Sequence, residues 1–239
     1  TLTGSIRLLS EVLSLMAPAV FERSQRLRGY VMHMANRLEV PQAWRFELAS
    51  ALSMLGCVGL PEQTLERVFA GRALSPEERR AFDEHPKAAH RLLAGIPRFG
   101  EVAEMIRLQN ETPLPADTPE SIRLGASFLR LAREVDHAVE TGTPLAAALA
   151  ALKARAQGPD KALLETLENY RTPEMGMAVR TVRVGQMTAH MILDEDVKTS
   201  SGVVVLPKGR EITSVVLERL LNFSAQGSLV EPIRVRVPG

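Results

Sequence analysis

The sequence predicts a mainly α-helical protein in which a helical bundle, residues 23–170, precedes a small α+β domain, residues 171–239. Aromatic residues make up only 4% of the chain, so the core must be built from Leu, Ala, Val, Ile and Met, a palette that favours helices. Apolar residues recur at helical spacing up to Tyr170, and apolar–polar alternation follows it. The change of pattern predicts a domain boundary near Arg171.

Residues 1–22 are predicted to form an N-terminal linker or signalling helix, because their apolar residues recur at helical spacing until Pro18. The apolar face of this segment is narrow, which suits a coiled coil, so we expect a homodimer contact through it. The first residue is Thr1 rather than Met, and we expect a further domain to precede the segment.

The bundle is predicted to contain a series of helices, most of which have a recognisable start or stop. Ser75 and Glu78 form a capping box that opens one of them, with Pro76 at its first position. Gly56 is predicted to end the helix that begins near Gln42. The predicted helices span about 23–38, 42–55, 60–70, 76–84, 85–94, 99–110, 119–140, 144–158 and 159–170.

The last part of the chain carries strand and turn signals instead. Residues 197–206 are predicted to form a hairpin around the turn at Ser200, Ser201 and Gly202. An amphipathic helix is expected at 213–225, and alternation predicts strands near 178–184 and at 233–237. This combination predicts a small α+β domain.

Charge and cysteine content exclude several classes of function. The formal net charge is +1, so the chain has no overall basic excess of the kind that binds nucleic acid. No apolar run approaches the roughly 20 residues that span a bilayer, and we expect no membrane partner. The single cysteine, Cys57, cannot form an intramolecular disulfide, which suits a cytoplasmic protein.

Four local signals follow one another between Arg23 and Leu152. They are an apolar stretch at 51–61 that ends in Leu60-Pro61, the helix start at 74–78, the pair His85-Pro86, and the run Arg91-Leu92-Leu93. Their order and spacing resemble the HD-GYP branch of the HD phosphohydrolase family. The resemblance implies an HD-domain helical bundle, and its members hydrolyse phosphodiesters, typically cyclic di-GMP, at two or three metal ions. It also implies a bacterial response regulator of a two-component system, in which a receiver or sensor domain precedes the bundle.

The resemblance further implies which positions would hold the metal ions; we call these the vestigial metal-site positions. In chain order they are Arg23 for a first-helix His, Ser53 and Met54 for the His-Asp pair, Cys57 for the lysine of Ile-Gly-Lys, His85 for the His of His-Pro, Glu111 for the Glu of His-His-Glu, and Arg133 for the Asp of a long helix. The Gly-Tyr-Pro signature of the branch is absent.

Most of these residues cannot perform the family's chemistry. Arginine is always protonated and cannot bind a cation, and methionine cannot replace a bridging carboxylate. Only His85 and Glu111 still carry suitable donor atoms. We therefore predict no catalytic residue, no metal ion and no cofactor.

Two hypotheses concern the arginines. In one, Arg133 pairs with Glu111 or another carboxylate and fills the space of the metal ions. In the other, Arg23 and Arg133 hold an anion such as a nucleotide phosphate.

The remaining polar residues are expected to have structural rather than functional roles. His85 is predicted to be a cap or a packed polar group, with a leftover metal ligand as the alternative, and Cys57 a small core residue rather than a nucleophile. Asp136 and His137 are predicted to lie on a solvated helix face. Surface positions are expected for His33, His90 and His190.

The resulting functional hypothesis is a non-catalytic output module that binds a protein partner. The alternative is an atypical metal-dependent phosphohydrolase that resembles cyclic di-GMP phosphodiesterases. A third reading is the HDOD class, which shares the bundle and usually lacks the metal ligands.

Overall fold

The computed structural model describes residues 17–171 and 177–238, and the chain divides into two compact units between Tyr170 and Arg171. The helix predicted before Pro18, and the dimer contact expected through it, lie outside the described residues. Within the described residues, no helix is long and apolar enough to cross a membrane. The predicted fold class, mainly α with a small α+β part at the C-terminal end, is confirmed.

The described part of the first unit contains helices and no strand. Its helices are α1 (Pro18–Arg37), α2 (Trp44–Leu52), α3 (Glu62–Phe69), α4 (Pro76–Asp83), α5 (His85–Leu93), α6 (Gly100–Arg107), α7 (Glu120–Glu140), α8 (Leu145–Arg155) and α9 (Pro159–Thr166). Short 3-10 helices cover Leu55–Gly59, Leu108–Asn110 and Leu167–Asn169. The capping box at α4 is confirmed, because the Ser75 hydroxyl accepts a hydrogen bond from the Glu78 amide and the Glu78 carboxylate accepts one from the Ser75 amide.

Helix α1 begins five residues earlier than predicted. The sequence prediction treated Pro18 as the end of the preceding segment, but it occupies the first turn of α1, where its missing N–H costs nothing. Arg23 therefore lies in the second turn of α1 rather than at its start, and it is buried.

Helix α7 lies at the centre of the unit and packs against α1, α2, α6, α8 and α9. Its buried face includes Phe128, whose ring lies 5.4 Å from that of Phe46 in α2. Gly125 allows α6 to approach, because a Cβ atom there would lie 2.4 Å from the sulfur of Met105. The packing of α7 on α1 brings Asp136 of α7 against Arg23 and Arg26 of α1.

The prediction that Gly56 ends α2 is wrong. The helix stops at Leu52, and Gly56 lies inside the following 3-10 helix. A Cβ atom at Gly56 would lie 1.9 Å from the carbonyl oxygen of His85, so this glycine permits a close approach of the 3-10 helix to α5.

The described part of the second unit combines two small sheets with one α-helix and a short 3-10 helix, Val184–Gln186. Its elements are β1 (Met177–Val182), β2 (Ile192–Leu193), β3 (Val197–Lys198), β4 (Val204–Leu206), α10 (Ser214–Ala225) and β5 (Ile233–Pro238). Strand β5 lies between β1 and β2 and is antiparallel to both, while β3 and β4 form the predicted hairpin. The buried side chains of Ile233, Val235 and Val237 alternate along β5 and pack with Leu220 of α10, as the alternating sequence predicts.

Candidate functional site

Polar side chains are buried inside the helical unit, where α1, the 3-10 helix 55–59, α5 and α7 meet. We call the following residues the buried polar cluster, in which Arg133 is half-buried and the others are buried: Arg23, Ser53, Cys57, His85, Gln109, Arg133 and Asp136. The charges of Arg23 and Arg133 both act on Cys57 and on His85, so these side chains lie within range of electrostatic interaction. The cluster thus contains five of the seven vestigial metal-site positions.

Asp136 is the carboxylate of the cluster and holds two arginines of α1. Its side chain is 1% exposed, and its Oδ1 atom accepts a hydrogen bond of 2.6 Å from Nε of Arg26. Its Oδ2 atom lies 3.1 Å from Nε of Arg23, whose guanidinium also lies 5.0 Å from the ring of Phe69. Arg26 has a further partner at the surface, Glu140, at 3.2 Å. Asp136 therefore joins α7 to α1 through a buried ion pair.

The expectation that Asp136 lies on a solvated face is wrong, whereas His137 is exposed as expected. Asp136 was missed because charged residues near a helix end are usually solvated. Its spacing did carry a signal, since it lies seven residues after Leu129 on the buried face of α7.

His85 is buried in a single tautomer. Its Nδ1 atom lies 2.5 Å from the carbonyl oxygen of Phe82 and must donate, because a carbonyl can only accept. Burial lowers the pKa of His85 to about 3, and the positive charges of Arg133 and Arg23 act in the same direction. The ring is therefore neutral, and its Nε2 atom is a buried acceptor with no hydrogen-bond donor among the described residues.

Gln109 supplies a second buried acceptor. Its side chain is fully buried, and its Nε2 atom donates to the carbonyl oxygen of Ser53 over 3.3 Å. This bond fixes the orientation of the amide, so Oε1 is the atom that faces away from Ser53. Within the described part of the chain, that Oε1 atom receives no hydrogen bond.

Arg133 connects the cluster to the surface. It is half-buried and donates a hydrogen bond to the side-chain oxygen of Asn110, which is exposed. Burial and the nearby charge of Arg23 lower the pKa of Arg133 to about 10. Among the residues that the structure describes, no carboxylate lies within 4.0 Å of its guanidinium.

The expected pair of Arg133 with Glu111 is not formed. Glu111 is exposed, and its charge acts on Lys87 and Arg107 rather than on the cluster. The two residues that precede Glu111 take part instead, since Gln109 bonds to Ser53 and Asn110 bonds to Arg133.

Ser53, Met54 and Cys57 are all buried. The Ser53 hydroxyl donates to the carbonyl oxygen of Ser50, and Met54 and Cys57 belong to the core. Burial raises the pKa of the Cys57 thiol to about 12, so it stays protonated. This is the environment of a small core residue, as predicted, and not of a nucleophile.

Three other histidines, His33, His90 and His190, have partners that do not belong to the cluster. His190 is exposed and pairs with Glu211 at 2.8 Å, as expected for a surface residue. His90 and His33 are half-buried rather than free at the surface, since His90 lies 2.8 Å from Glu104 and His33 lies 3.0 Å from the carbonyl oxygen of Thr166.

The cluster does not fit the metal ions that HD phosphohydrolases use. Two guanidinium groups would repel any cation placed beside His85, and the Met54 thioether is a poor ligand for the ions that favour carboxylate and imidazole. Among residues 17–171 and 177–238, no group of three His, Cys, Asp or Glu side chains could hold a metal ion. The cluster can bind or exclude small polar groups, but it offers no set of donors for a metal centre.

Comparison with protein families agrees with the arrangement of the helices. A family model described as an HD domain matches residues 7–157, which is more than half of the 239-residue chain. No curated protein and no solved structure gives a significant match. The matched span contains every vestigial metal-site position from Arg23 to Arg133, and the chain belongs to the HD domain family.

Proposed function

We propose that this HD domain is a non-catalytic output module of a bacterial two-component response regulator and that it signals by binding a protein partner. The observation that carries the proposal is the pair of arginines, Arg23 and Arg133, in the buried cluster where the family's chemistry needs metal ligands. Partner binding, the preceding receiver domain and the cytoplasmic location belong to the same proposal.

The charges of the cluster support the absence of catalysis. Arg23 pairs with one buried carboxylate, Asp136, which also binds Arg26, while among the described residues no carboxylate lies within 4.0 Å of Arg133. The buried groups therefore carry excess positive charge before any ion is added. A divalent cation would increase that excess in a poorly solvated place, at a cost of several kcal/mol.

One observation favours the alternative, an atypical metal-dependent phosphohydrolase. His85 donates from Nδ1 to a carbonyl oxygen and leaves Nε2 as an acceptor, which is the arrangement that orients metal-bound histidines in general. The HDOD class is also compatible with the helical bundle and the lost ligands.

Metal analysis and hydrolysis assays on the full chain test the proposal. The purified chain is incubated with Mn²⁺ or with Fe²⁺ under reducing, oxygen-free conditions, and is assayed with cyclic di-GMP and a model phosphodiester. We expect less than one tightly bound metal ion per chain and no turnover above that of the His85→Ala variant. Two equivalents of bound metal, or metal-dependent turnover that His85→Ala abolishes, would establish the phosphohydrolase instead.

A further inference from the structure

Strand β1 forms one edge of the three-stranded sheet in the second unit. It pairs with β5 on one side, and among the described residues no strand or bridge pairs with its other side. At the opposite end of the sheet β2 is covered, because the Leu193 amide donates to the carbonyl oxygen of Arg210. An edge strand exposes a row of backbone donors and acceptors, so β1 offers a template for one more strand.

The hydrogen bonds of β5 identify which backbone groups of β1 face outward. The Asp194 amide donates to the carbonyl oxygen of Arg234 over 2.9 Å, so the backbone of Arg234 points toward β2. Bonding alternates along an antiparallel strand, and the next residue, Val235, therefore points toward β1, where it lies opposite Arg180. It follows that Arg180 bonds to β5, whereas the residues on either side of it point away from β5.

Those two residues, Val179 and Thr181, present two N–H donors and two carbonyl acceptors along the outer edge. No turn, loop or side chain among the described residues bonds to these groups. The free edge ends at Arg183, whose N–H and C=O bond to the side chain and the amide of Gln186. The Val179 side chain is 54% exposed and adds an apolar contact beside the free groups. The edge therefore fits the backbone of an extended segment.

The side chains along this edge are basic. Arg180 and Arg183 are exposed, and among the described residues no carboxylate lies within 4.0 Å of either guanidinium. Arg234 of the adjoining strand is exposed as well, and one of its two carboxylate partners, Asp194, is shared with two further cations. The local excess of positive charge makes the edge complementary to an acidic segment.

A second copy of the chain is a poor partner for this edge. An antiparallel pair of β1 strands that uses both Val179 and Thr181 of each copy sets these two residues opposite each other. The same register sets Arg180 opposite Arg180 of the second copy, in a pair whose Cα atoms lie about 4.5 Å apart and in which like charges are destabilising. The edge therefore selects against self-pairing and favours a strand that carries a carboxylate at that position.

We propose that the outer edge of β1 binds an extended, acidic segment of a partner protein as an added strand. The backbone of the segment pairs with the free N–H and C=O groups of Val179 and Thr181, and a carboxylate side chain of the segment lies opposite Arg180. The inference rests on the proposed function, because it gives the binding surface and the chemistry of the protein partner.

Titration of labelled peptides with the full chain, followed by fluorescence anisotropy, tests the proposal. The probe is a peptide of about ten alternating Glu and Val residues with blocked ends, long enough to span β1. One control replaces every Glu by Lys, and the other is N-methylated at every Val, which keeps the charge and removes the donors that would face Val179 and Thr181. We expect the Glu-Val peptide to bind at least about tenfold more tightly than either control.

Three results of this titration would overturn the proposal. No binding of the Glu-Val peptide would exclude the added strand. Equal binding of the N-methylated peptide would indicate charge attraction without strand pairing, and equal binding of the Lys-Val peptide would exclude a preference for acidic segments.

Hydrogen exchange at single amides locates the added strand. In the free chain the amides of Val179 and Thr181 should exchange rapidly, whereas the amide of Arg180, which bonds to β5, should exchange slowly. A saturating amount of the Glu-Val peptide should slow exchange at Val179 and Thr181 by about tenfold or more. Peptide binding that leaves both amides unprotected would contradict the assignment to β1.

Two variants separate backbone pairing from charge. Thr181→Pro removes an outward N–H, which an edge strand tolerates, and should weaken binding of the Glu-Val peptide about fivefold or more. Arg180→Glu should reverse the preference, so that the Lys-Val peptide binds more tightly than the Glu-Val peptide. Lys198→Glu is the control, because it makes the same change of charge at an exposed residue of the other sheet and should keep the original preference. An Arg180→Glu variant that still prefers the Glu-Val peptide would refute the proposal.

Failure of this inference is distinguishable from failure of the proposed function. If the chain shows no turnover and does not bind the Glu-Val peptide, the inference alone is wrong. Metal-dependent turnover would refute the non-catalytic function, and the peptide titration would still decide whether β1 accepts an acidic strand.

Discussion

Replacement of Asp136 by Asn should destabilise the helical unit by about 3 kcal/mol. The substitution keeps the size of the side chain and removes the negative charge that faces Arg23 at 3.1 Å and Arg26 at 2.6 Å. At an effective dielectric constant of about 20, one unit charge at 3.1 Å contributes roughly 5 kcal/mol of attraction. Removing one partner of a buried ion pair typically costs about 3–5 kcal/mol of stability. We take the lower end of this range as the expected loss for Asp136→Asn.

The loss falls mainly on Arg23. Arg26 is 35% exposed and keeps Glu140 at 3.2 Å, so water and that carboxylate compensate part of its loss. Arg23 is 6% exposed, and its charge would remain in the interior without a counter-ion. A loss of about 3 kcal/mol corresponds to a fall of roughly 6–12 °C in the thermal midpoint of a unit of this size.

The assay is urea denaturation followed by tryptophan fluorescence. Trp44 is the single tryptophan of the chain and begins α2, so its emission reports the helical unit alone. Glu140→Gln is the control, because it removes a carboxylate that is 40% exposed from the same group and should cost less than about 1 kcal/mol.

A double variant shows whether Asp136→Asn is destabilising because it leaves a buried charge unpaired or because it disturbs packing. Arg23→Met combined with Asp136→Leu removes both charges of this pair and should be more stable than Asp136→Asn alone, because Arg23 is no longer left as a buried charge without its counter-ion. A loss below about 1 kcal/mol for Asp136→Asn, or a paired variant that is less stable than it, would refute the reasoning.

Three further predictions follow from the same part of the structure. Gly56→Ala should lower the free energy of unfolding by about 2 kcal/mol or more, because the new Cβ atom would meet the His85 carbonyl oxygen. Gly59→Ala is the control on the same 3-10 helix: its Cβ atom would meet nothing within 4 Å, and it should change the free energy of unfolding little. Equal effects of the two substitutions in urea denaturation would contradict the close approach at Gly56. The depressed pKa of His85, about 3 against an ordinary value of 6.5, means that the unfolded chain takes up a proton first as the pH falls. Stability should therefore be lost below pH 6.5 at up to about 1.4 kcal/mol per pH unit, and His85→Gln should remove that slope in denaturation curves between pH 7 and pH 5.5; an unchanged slope would refute it. The Cys57 thiol, fully buried with its pKa raised to about 12, should react with a thiol reagent at pH 8 only after unfolding, and rapid labelling of the native chain would disprove its burial.

Local patterns in the sequence were sufficient for most helices and strands. The capping box at Ser75 and the alternation of residues 233–237 are signals within a few residues of one another, and both structures form where they were predicted. The start of α1 was misplaced because Pro18 is compatible both with the end of one helix and with the first turn of another. Gly56 shows the same limit, since a glycine that ends a helix and one that permits a close contact look alike in sequence.

The sequence by itself determined most of the elements and the loss of the family's metal-ligand types. That loss is readable from sequence because the side-chain chemistry of Met54, Arg23 and Arg133 does not depend on packing. Only the tertiary structure decided the partners of the buried charges. Asp136 lies 110 residues after Arg26, and their contact exists because α7 packs against α1. Likewise, among residues 17–171 and 177–238 the buried Nε2 atom of His85 receives no hydrogen bond, which no local pattern predicts. Ion pairs and unpaired atoms depend on distances of a few ångströms between helices that are far apart in sequence, and no local pattern carries those distances.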